Sequence, residues 1–141
     1  MIAELKRILL AEDNANDVEL TLTALRENKV LNEVVVVRDG AEALDYLYKR
    51  EGYKHRSGAN PVLVLLDLKM PKMTGLDVLR WIRSQPALQG LRVIIYSSSR
   101  LPLDINAAHA LRIDAYVVKP GTYDEWVAMV DNLNVYWLKG R

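Results

Sequence analysis

The sequence contains no cysteine among its 141 residues. A disulfide framework, a thiolate zinc site and a cysteine nucleophile are therefore excluded. The lack of cysteine is also typical of a reducing compartment, so we expect a cytoplasmic protein. Histidine is almost as scarce, because His55 and His109 are the only two and their separation does not fit a metal-binding pair.

Long apolar runs and an excess of one charge are also missing. The first ten residues hold too short an apolar stretch for a signal peptide, and no segment approaches the roughly 20 apolar residues of a membrane span. The 19 basic residues nearly balance the 18 acidic ones, for a net charge of +1. We therefore expect no membrane and no nucleic acid as partner, but another protein or a small molecule.

Short apolar runs alternate with helical patterns along the whole chain, which predicts an α/β fold with a doubly wound, five-stranded parallel sheet. The strand candidates are residues 7–11, 34–37, 62–66, 92–96 and 115–118. Most are continuous Val, Ile and Leu runs, as expected of strands that are covered on both faces. The length fits one domain, and we expect residues 1–141 to form it.

Five segments predict the helices that cover this sheet; four are amphipathic, and the fourth is weaker and rich in alanine. In the first, Val18, Leu22 and Leu25 recur at the spacing i, i+4, i+7. The other four begin after Gly40, after Gly75, at about Asp104 (to Arg112) and at Thr122 or Tyr123 (to Leu138). A polar loop of unusual length, residues 50–60, follows the second helix; it is either a specialised insertion or simply a solvated loop.

Polar side chains follow four of the five predicted strands. Glu12 and Asp13 follow the first strand, Asp67 the third, Ser97 the fourth and Lys119 the fifth. Right-handed crossovers bring the carboxyl ends of parallel strands to one edge of the sheet, where ligands bind. We therefore expect three carboxylates, a hydroxyl and an ammonium in one basin. The alternative for the Glu12-Asp13 pair is the N-cap of the first helix, although Asn14 or Asn16 could also cap it.

Clustered carboxylates repel one another unless a cation lies between them, so a divalent ion is the expected partner. Oxygen ligands favour Mg²⁺, which commonly binds one or two carboxylates together with a phosphate. A carboxylate nucleophile, Mg²⁺, Lys119 and Ser97 are the parts that phosphoryl transfer requires. The residues alone leave open which carboxylate is attacked and whether turnover follows.

The motif LLDLKMP at residues 65–71, followed by Gly75 and flanked by the polar residues above in the same order, resembles the receiver domain of two-component response regulators. The resemblance covers nearly the entire chain and implies a flavodoxin-like sheet with strand order 2-1-3-4-5. It also implies that Asp67 is the phosphoacceptor and that Lys119 pairs with the phosphate. Glu12, Asp13 and Asp67 would hold Mg²⁺ together with the backbone carbonyl of Lys69.

The same resemblance implies a conformational switch. Ser97 would move toward the phosphate, and the ring of Tyr116 would fill the space that it leaves. The simpler alternative is that Tyr116 is only a strand aromatic packed against a helix. We also predict a cis Lys119–Pro120 bond, since a tight turn there would fix the direction of the ammonium.

A narrower resemblance is to the single-domain regulators paired with bacterial phytochrome-type histidine kinases. It depends on the segment GAEALDYL at residues 40–47, on the loop 50–60 and on the aromatic end of the last helix. It implies a sensor histidine kinase of phytochrome type as partner and no DNA-binding output domain. The phosphoryl donor is then a histidine of that kinase, or a small acyl phosphate, since the chain has no obvious phosphohistidine site of its own.

The last helix carries more apolar surface than one packing face needs, which predicts a homodimer. The predicted interface residues are Trp126, Met129, Val130, Leu133, Tyr136 and Trp137.

The competing hypothesis is an enzyme like the haloacid dehalogenase-type phosphatases, which hydrolyse phosphate esters through an aspartyl intermediate. Those enzymes carry the nucleophile after the first strand and a second Asp two residues later. Here Asp67 follows the third strand and Lys69 stands two residues on. We therefore expect a signalling protein that catalyses only its own phosphotransfer and slow dephosphorylation.

Overall fold

The computed structural model describes residues 7–56 and 58–133. Five strands and five α-helices alternate along this part of the chain. They are β1 Ile8–Ala11, α1 Ala15–Glu27, β2 Val34–Val37, α2 Gly40–Tyr48, β3 Leu63–Leu66, α3 Gly75–Ser84, β4 Val93–Ser97, α4 Pro102–Ala110, β5 Ala115–Val118 and α5 Tyr123–Leu133. Short 3-10 turns lie at Glu51–Tyr53 and Pro86–Leu88.

The five strands form one parallel sheet in the order β2-β1-β3-β4-β5, which confirms the predicted topology. The strand order reverses between β1 and β3, and the crevice beyond such a reversal is where open α/β sheets bind ligands. Ala11 of β1 pairs with Leu66 of β3. The residues that follow these two, Glu12 and Asp67, therefore leave the sheet side by side.

Helices cover both faces of the sheet, which is why its central strands are apolar at every position. Leu9 and Ala11 of β1 pack on one side, in a core that includes residues of α2 and α3. Ile8 and Leu10 pack on the other side, in a core that includes residues of α1 and α5. All four side chains are fully buried.

The fourth helix differs from its prediction at both ends. It begins at Pro102 rather than Asp104, because proline at the first helical position has a suitable φ and needs no N–H partner. It ends at Ala110 rather than Arg112, and Arg112 adopts a left-handed φ of 61° that cannot continue the helix. The fourth strand in turn extends one residue further than predicted and includes Ser97.

Part of the long loop packs on α2 instead of standing free in solvent. The Arg56 guanidinium lies 4.2 Å from the centre of the Tyr46 ring, and its Nε donates a 2.7 Å hydrogen bond to the Tyr46 carbonyl. The Tyr53 hydroxyl donates to Glu42 at 2.7 Å. These contacts hold part of the loop against α2, and its interpretation as a specialised insertion stays a prediction.

The predicted dimer interface requires correction. The side chains of Trp126, Met129, Val130 and Leu133 are buried in the protein's own core, with Trp126 only 3% exposed. Trp126 and Val130 cannot form an exposed contact surface, because they pack in the core between α5 and the sheet, whereas Met129 and Leu133 also line a groove beside β5. Tyr136 and Trp137, and the predicted end of the last helix, lie outside the described residues.

The prediction of a cis Lys119–Pro120 bond is also wrong, because the described residues contain no cis peptide bond. The Lys119 N–H donates a 2.8 Å hydrogen bond to the Ser97 carbonyl. This bond continues the hydrogen-bond ladder between β4 and β5 and orients Lys119 without a cis turn. None of the described helices is long and apolar enough to cross a membrane.

Candidate functional site

Glu12, Asp13 and Asp67 form an acidic cluster at the carboxyl ends of β1 and β3. Each offers a carboxylate oxygen within 4.8 Å of the others. Glu12 is fully buried, Asp67 is 5% exposed, and Asp13 faces solvent. The cluster is therefore open on one side only, where a ligand could enter.

Backbone hydrogen bonds hold these acids where the strands end. The Glu12 N–H donates to the Val37 carbonyl at 3.0 Å, and the Asp67 N–H donates to the Ala11 carbonyl at 3.1 Å. Asn14 caps α1, since its side chain accepts the Asp17 N–H at 3.1 Å. The helix thus takes its cap from Asn14, and the alternative role of Glu12-Asp13 as the cap is wrong.

Lys119 joins this cluster from the end of β5, as the sequence predicts. Its Nζ lies 2.6 Å from Glu12 Oε1, 2.8 Å from Asp17 Oδ2 and 3.3 Å from Asp67 Oδ2. Burial acts to lower the pKa of the Lys119 ammonium, but the hydrogen bonds to Asp17 and Glu12 and the charge of Asp67 outweigh it and raise the pKa above its usual range. The ammonium is therefore charged, and three acceptors share it.

Sequence reasoning missed two residues of this site, Asp17 and Tyr96. Asp17 stands in the first turn of α1, where an acidic residue is common in any helix. Tyr96 is the residue before Ser97. Its hydroxyl donates a 3.0 Å hydrogen bond to Glu12 Oε1, and the centre of its ring lies 5.1 Å from the Lys119 Nζ. Neither gave a clear signal in the sequence, because Asp17 lies within a helix and Tyr96 lies within the apolar run of a strand.

Ser97 and Tyr116 are connected through Ser99. Ser97 is buried at the end of β4, and its hydroxyl oxygen accepts the Ser99 N–H at 3.1 Å. The Tyr116 hydroxyl donates a 2.8 Å hydrogen bond to the Ser99 carbonyl. The two predicted switch residues therefore contact the same short segment between β4 and α4.

The loop after Asp67 runs tightly against the acceptor residue. The Gly75 N–H donates a 2.8 Å hydrogen bond to the Leu68 carbonyl. A β-carbon at position 75 would lie 2.2 Å from the Asp67 carbonyl oxygen. Only glycine permits this approach. The side chain of Lys69 is exposed. The predicted metal contact through the Lys69 carbonyl stays a prediction.

The balance of charge in the site favours a bound cation. Among the described residues, the site holds the four carboxylates of Glu12, Asp13, Asp17 and Asp67 against one ammonium, that of Lys119. Burial raises the pKa of the Glu12 carboxyl, the hydrogen bond from Lys119 opposes this, and the Asp67 charge adds to it. A divalent ion would relieve the repulsion, and an all-oxygen ligand set suits a hard ion such as Mg²⁺ or Mn²⁺.

A parallel sheet of this order, with an acidic cluster and a lysine at its switch point, defines a flavodoxin-like α/β module. The family model of the response regulator receiver domain matches residues 8–131. The chain therefore belongs to the response regulator receiver domain family, as its motifs predicted.

Within this family, the chain is similar to a response regulator that has been described individually. Response regulator Rcp1 of Synechocystis is 31% identical over 134 residues, which cover 95% of this chain and 90% of the relative. A structure of Rcp1 in a Mn²⁺-bound form has a TM-score of 0.87, with 30% identity and 96% of each chain covered.

Two further solved structures come from phytochrome systems. The phosphorylated cyanobacterial phytochrome response regulator RcpA has a TM-score of 0.89 and 36% identity, over 97% of this chain and 96% of that one. The bacteriophytochrome response regulator RtBRR is 46% identical with a TM-score of 0.81, over 94% of this chain and 80% of that one. The predicted likeness to phytochrome response regulators is confirmed.

Proposed function

We propose that this protein is a phosphorylation switch in which Asp67 accepts a phosphoryl group from a sensor histidine kinase. The observation that carries the proposal is the position of Asp67, 5% exposed, between the Lys119 ammonium at 3.3 Å and the oxygens of Glu12 and Asp13. A nucleophile, a cationic partner and a metal cluster in one basin are what phosphoryl transfer needs.

In the proposed step an oxygen of the Asp67 carboxylate attacks the phosphorus of a phosphohistidine. The P–N bond breaks, and the leaving imidazole keeps the electron pair and takes up a proton. Mg²⁺, held by Glu12, Asp13, Asp67 and the Lys69 carbonyl, would neutralise charge on the phosphoryl oxygens. Lys119 gives up part of its present contact with the carboxylates in order to bind the phosphoryl group.

The output of the switch is a changed surface near β4, α4 and β5. A phosphoryl oxygen on Asp67 would attract the buried Ser97 hydroxyl, which now accepts the Ser99 N–H. Moving Ser97 disturbs the segment to which the Tyr116 hydroxyl is bonded at 2.8 Å. Phosphorylation would thus be reported to a partner protein by Ser97 and Tyr116 together.

The family and its phytochrome relatives support a sensor histidine kinase of phytochrome type as the donor. Such a kinase would phosphorylate this protein in the cytoplasm, and the message would pass onward by protein contact. A role as a phosphate ester hydrolase is disfavoured, because Lys69 stands two residues after Asp67, where the haloacid dehalogenase-type phosphatases carry a second Asp.

A homodimer through the last helix stays part of this proposal, with its contact surface placed where α5 meets β5 and not on Trp126 and Val130. The side of α5 next to the edge strand β5 forms a groove of about 440 Å³, lined among others by Val117, Ala128 and Asn132. Light scattering over a concentration series, with and without phosphorylation, should show a mass that rises to twice that of one chain. A constant single-chain mass in both states would exclude the dimer.

The central test is incubation with Mg²⁺ and acetyl phosphate, followed by intact mass spectrometry. We expect one phosphoryl adduct, which Asp67→Asn abolishes and the matched control Asp124→Asn, an exposed acid in the first turn of α5, retains. An adduct that persists in Asp67→Asn would refute the assignment. Rapid multiple turnover of p-nitrophenyl phosphate would favour the hydrolase instead.

A further inference from the structure

Tyr96 connects the acidic cluster to the core beneath it. Its side chain is 2% exposed, and its hydroxyl donates a 3.0 Å hydrogen bond to Oε1 of the fully buried Glu12. Its ring lies edge-on to Trp126 of α5, with the two centroids 6.2 Å apart. The packing of the ring therefore holds the hydroxyl against Glu12.

Glu12 accepts hydrogen bonds from three groups in this structure. Oε1 accepts from the Tyr96 hydroxyl and from the Lys119 ammonium at 2.6 Å, and Oε2 accepts the Asn14 N–H at 3.2 Å. The Lys119 bond is the one that phosphoryl binding would weaken. A fully buried carboxylate that lost its cation would then depend on its two remaining donors.

We propose that Tyr96 is a positioning residue for Glu12, which holds this metal-binding carboxylate in its orientation while Lys119 turns toward the phosphoryl group. The inference rests on the proposed function, since it assigns Glu12 to the Mg²⁺ site. Hydrogen bonds to the ligands of a metal orient those ligands, and their loss commonly weakens metal affinity by about 10- to 100-fold. Tyr96 supplies such a bond from a side chain that the core packing immobilises.

The variant Tyr96→Phe removes the hydroxyl and keeps the ring against Trp126. Tyr53→Phe is a matched control. It also removes a tyrosine hydroxyl that donates a hydrogen bond to a glutamate, here Glu42 at 2.7 Å, but Glu42 is not part of the acidic cluster. Mg²⁺ alone is titrated into each protein by isothermal calorimetry. We expect the Mg²⁺ Kd to rise about tenfold in Tyr96→Phe and to stay within twofold of wild type in Tyr53→Phe.

Phosphorylation by acetyl phosphate separates positioning from a general loss of structure. In Tyr96→Phe the initial rate should fall at low Mg²⁺ and recover to near the wild-type rate when Mg²⁺ is saturating. A rate that stays low at saturating Mg²⁺ would contradict a role through Glu12. In a Glu12→Gln background the further change Tyr96→Phe should alter the Mg²⁺ Kd by less than twofold, because the carboxylate that it positions is gone.

A measurement on the wild-type protein tests the same bond without a variant. The Tyr96 hydroxyl proton should be observable by NMR and protected from solvent exchange in the Mg²⁺-bound protein. Loss of this protection on Mg²⁺ addition, or a Tyr96→Phe variant with the wild-type Mg²⁺ Kd, would overturn the inference and leave the proposed function standing. A wild-type protein that binds no Mg²⁺ would refute the proposed function itself.

Discussion

The ammonium of Lys119 lies 2.8 Å from Oδ2 of Asp17, an acid on α1 that is 102 positions away in the chain. Glu12 and Asp67 are its other two acceptors. In the proposed phosphorylation, Asp17 would compete with the phosphoryl group for Lys119, the one ammonium that the described residues bring to the acidic cluster. This contact would then set how readily Lys119 becomes available.

Asp17→Asn should speed phosphorylation by acetyl phosphate by a factor of about 1.4 to 5. The factor corresponds to the ~0.2–1 kcal/mol typical of an ion pair that is partly open to solvent. Stopped-flow kinetics at saturating Mg²⁺ measures it. The control is Glu19→Gln, which removes one negative charge from the exposed face of the same helix and should leave the rate unchanged. An equal or slower rate in Asp17→Asn would show that Asp17 does not restrain Lys119.

Asp13→Asn should stabilise the metal-free protein and abolish its response to Mg²⁺. The substitution removes one of the clustered carboxylates whose mutual repulsion opposes folding. Thermal unfolding in EDTA should show a Tm higher by about 1–3 °C, a shift that corresponds to less than 1 kcal/mol for a domain of this size. Wild type should gain stability on addition of Mg²⁺ by mass action. A variant whose Tm still rises with Mg²⁺ as in wild type would exclude Asp13 as a ligand.

The raised pKa of Glu12 predicts how stability and metal binding depend on pH. The folded state retains the Glu12 proton above the ordinary value of 4.5, at which the unfolded chain loses it. The free energy of unfolding of the metal-free protein should therefore fall, through this group, as the pH rises from 4.5 to the raised pKa. Mg²⁺ needs the ionised carboxylate, so its affinity should rise over the same interval.

Denaturation curves and Mg²⁺ titrations between pH 4.5 and 8 check both slopes, with Glu12→Gln as the control that removes the titrating group. Slopes that are the same in wild type and Glu12→Gln would assign the pH dependence to other residues.

Gly75→Ala should destabilise the protein and slow phosphorylation, because the new β-carbon would lie 2.2 Å from the Asp67 carbonyl oxygen. Backbone atoms cannot move aside as a flexible side chain can, and overpacking of this kind costs about 1–3 kcal/mol. Gly90→Ala is the control, since nothing lies within 4 Å of its β-carbon position. Urea denaturation should separate the two variants, and equal stabilities would show that the loop after Asp67 relaxes freely.

Local pattern determined the architecture of this protein. Continuous apolar runs of strand length, separated by segments of helical period, can only be buried in a sheet that is covered on both faces. The strand order β2-β1-β3-β4-β5 followed from the resemblance to receiver domains and not from the pattern itself. Polar residues directly after those runs predicted Glu12, Asp13, Asp67 and Lys119 correctly as neighbours, because parallel strands end at one edge.

Tertiary structure decided what lies around those residues. The contacts of Tyr96 with Glu12 and of Lys119 with Asp17 join residues 84 and 102 positions apart, and they depend on side-chain reach and on the twist of the sheet. The period of α5 showed which face is apolar, but only packing decided that the sheet, and not a second chain, covers Trp126 and Val130. Periodicity records where apolar surface lies along a helix, whereas the surface that buries it is set by the assembled fold.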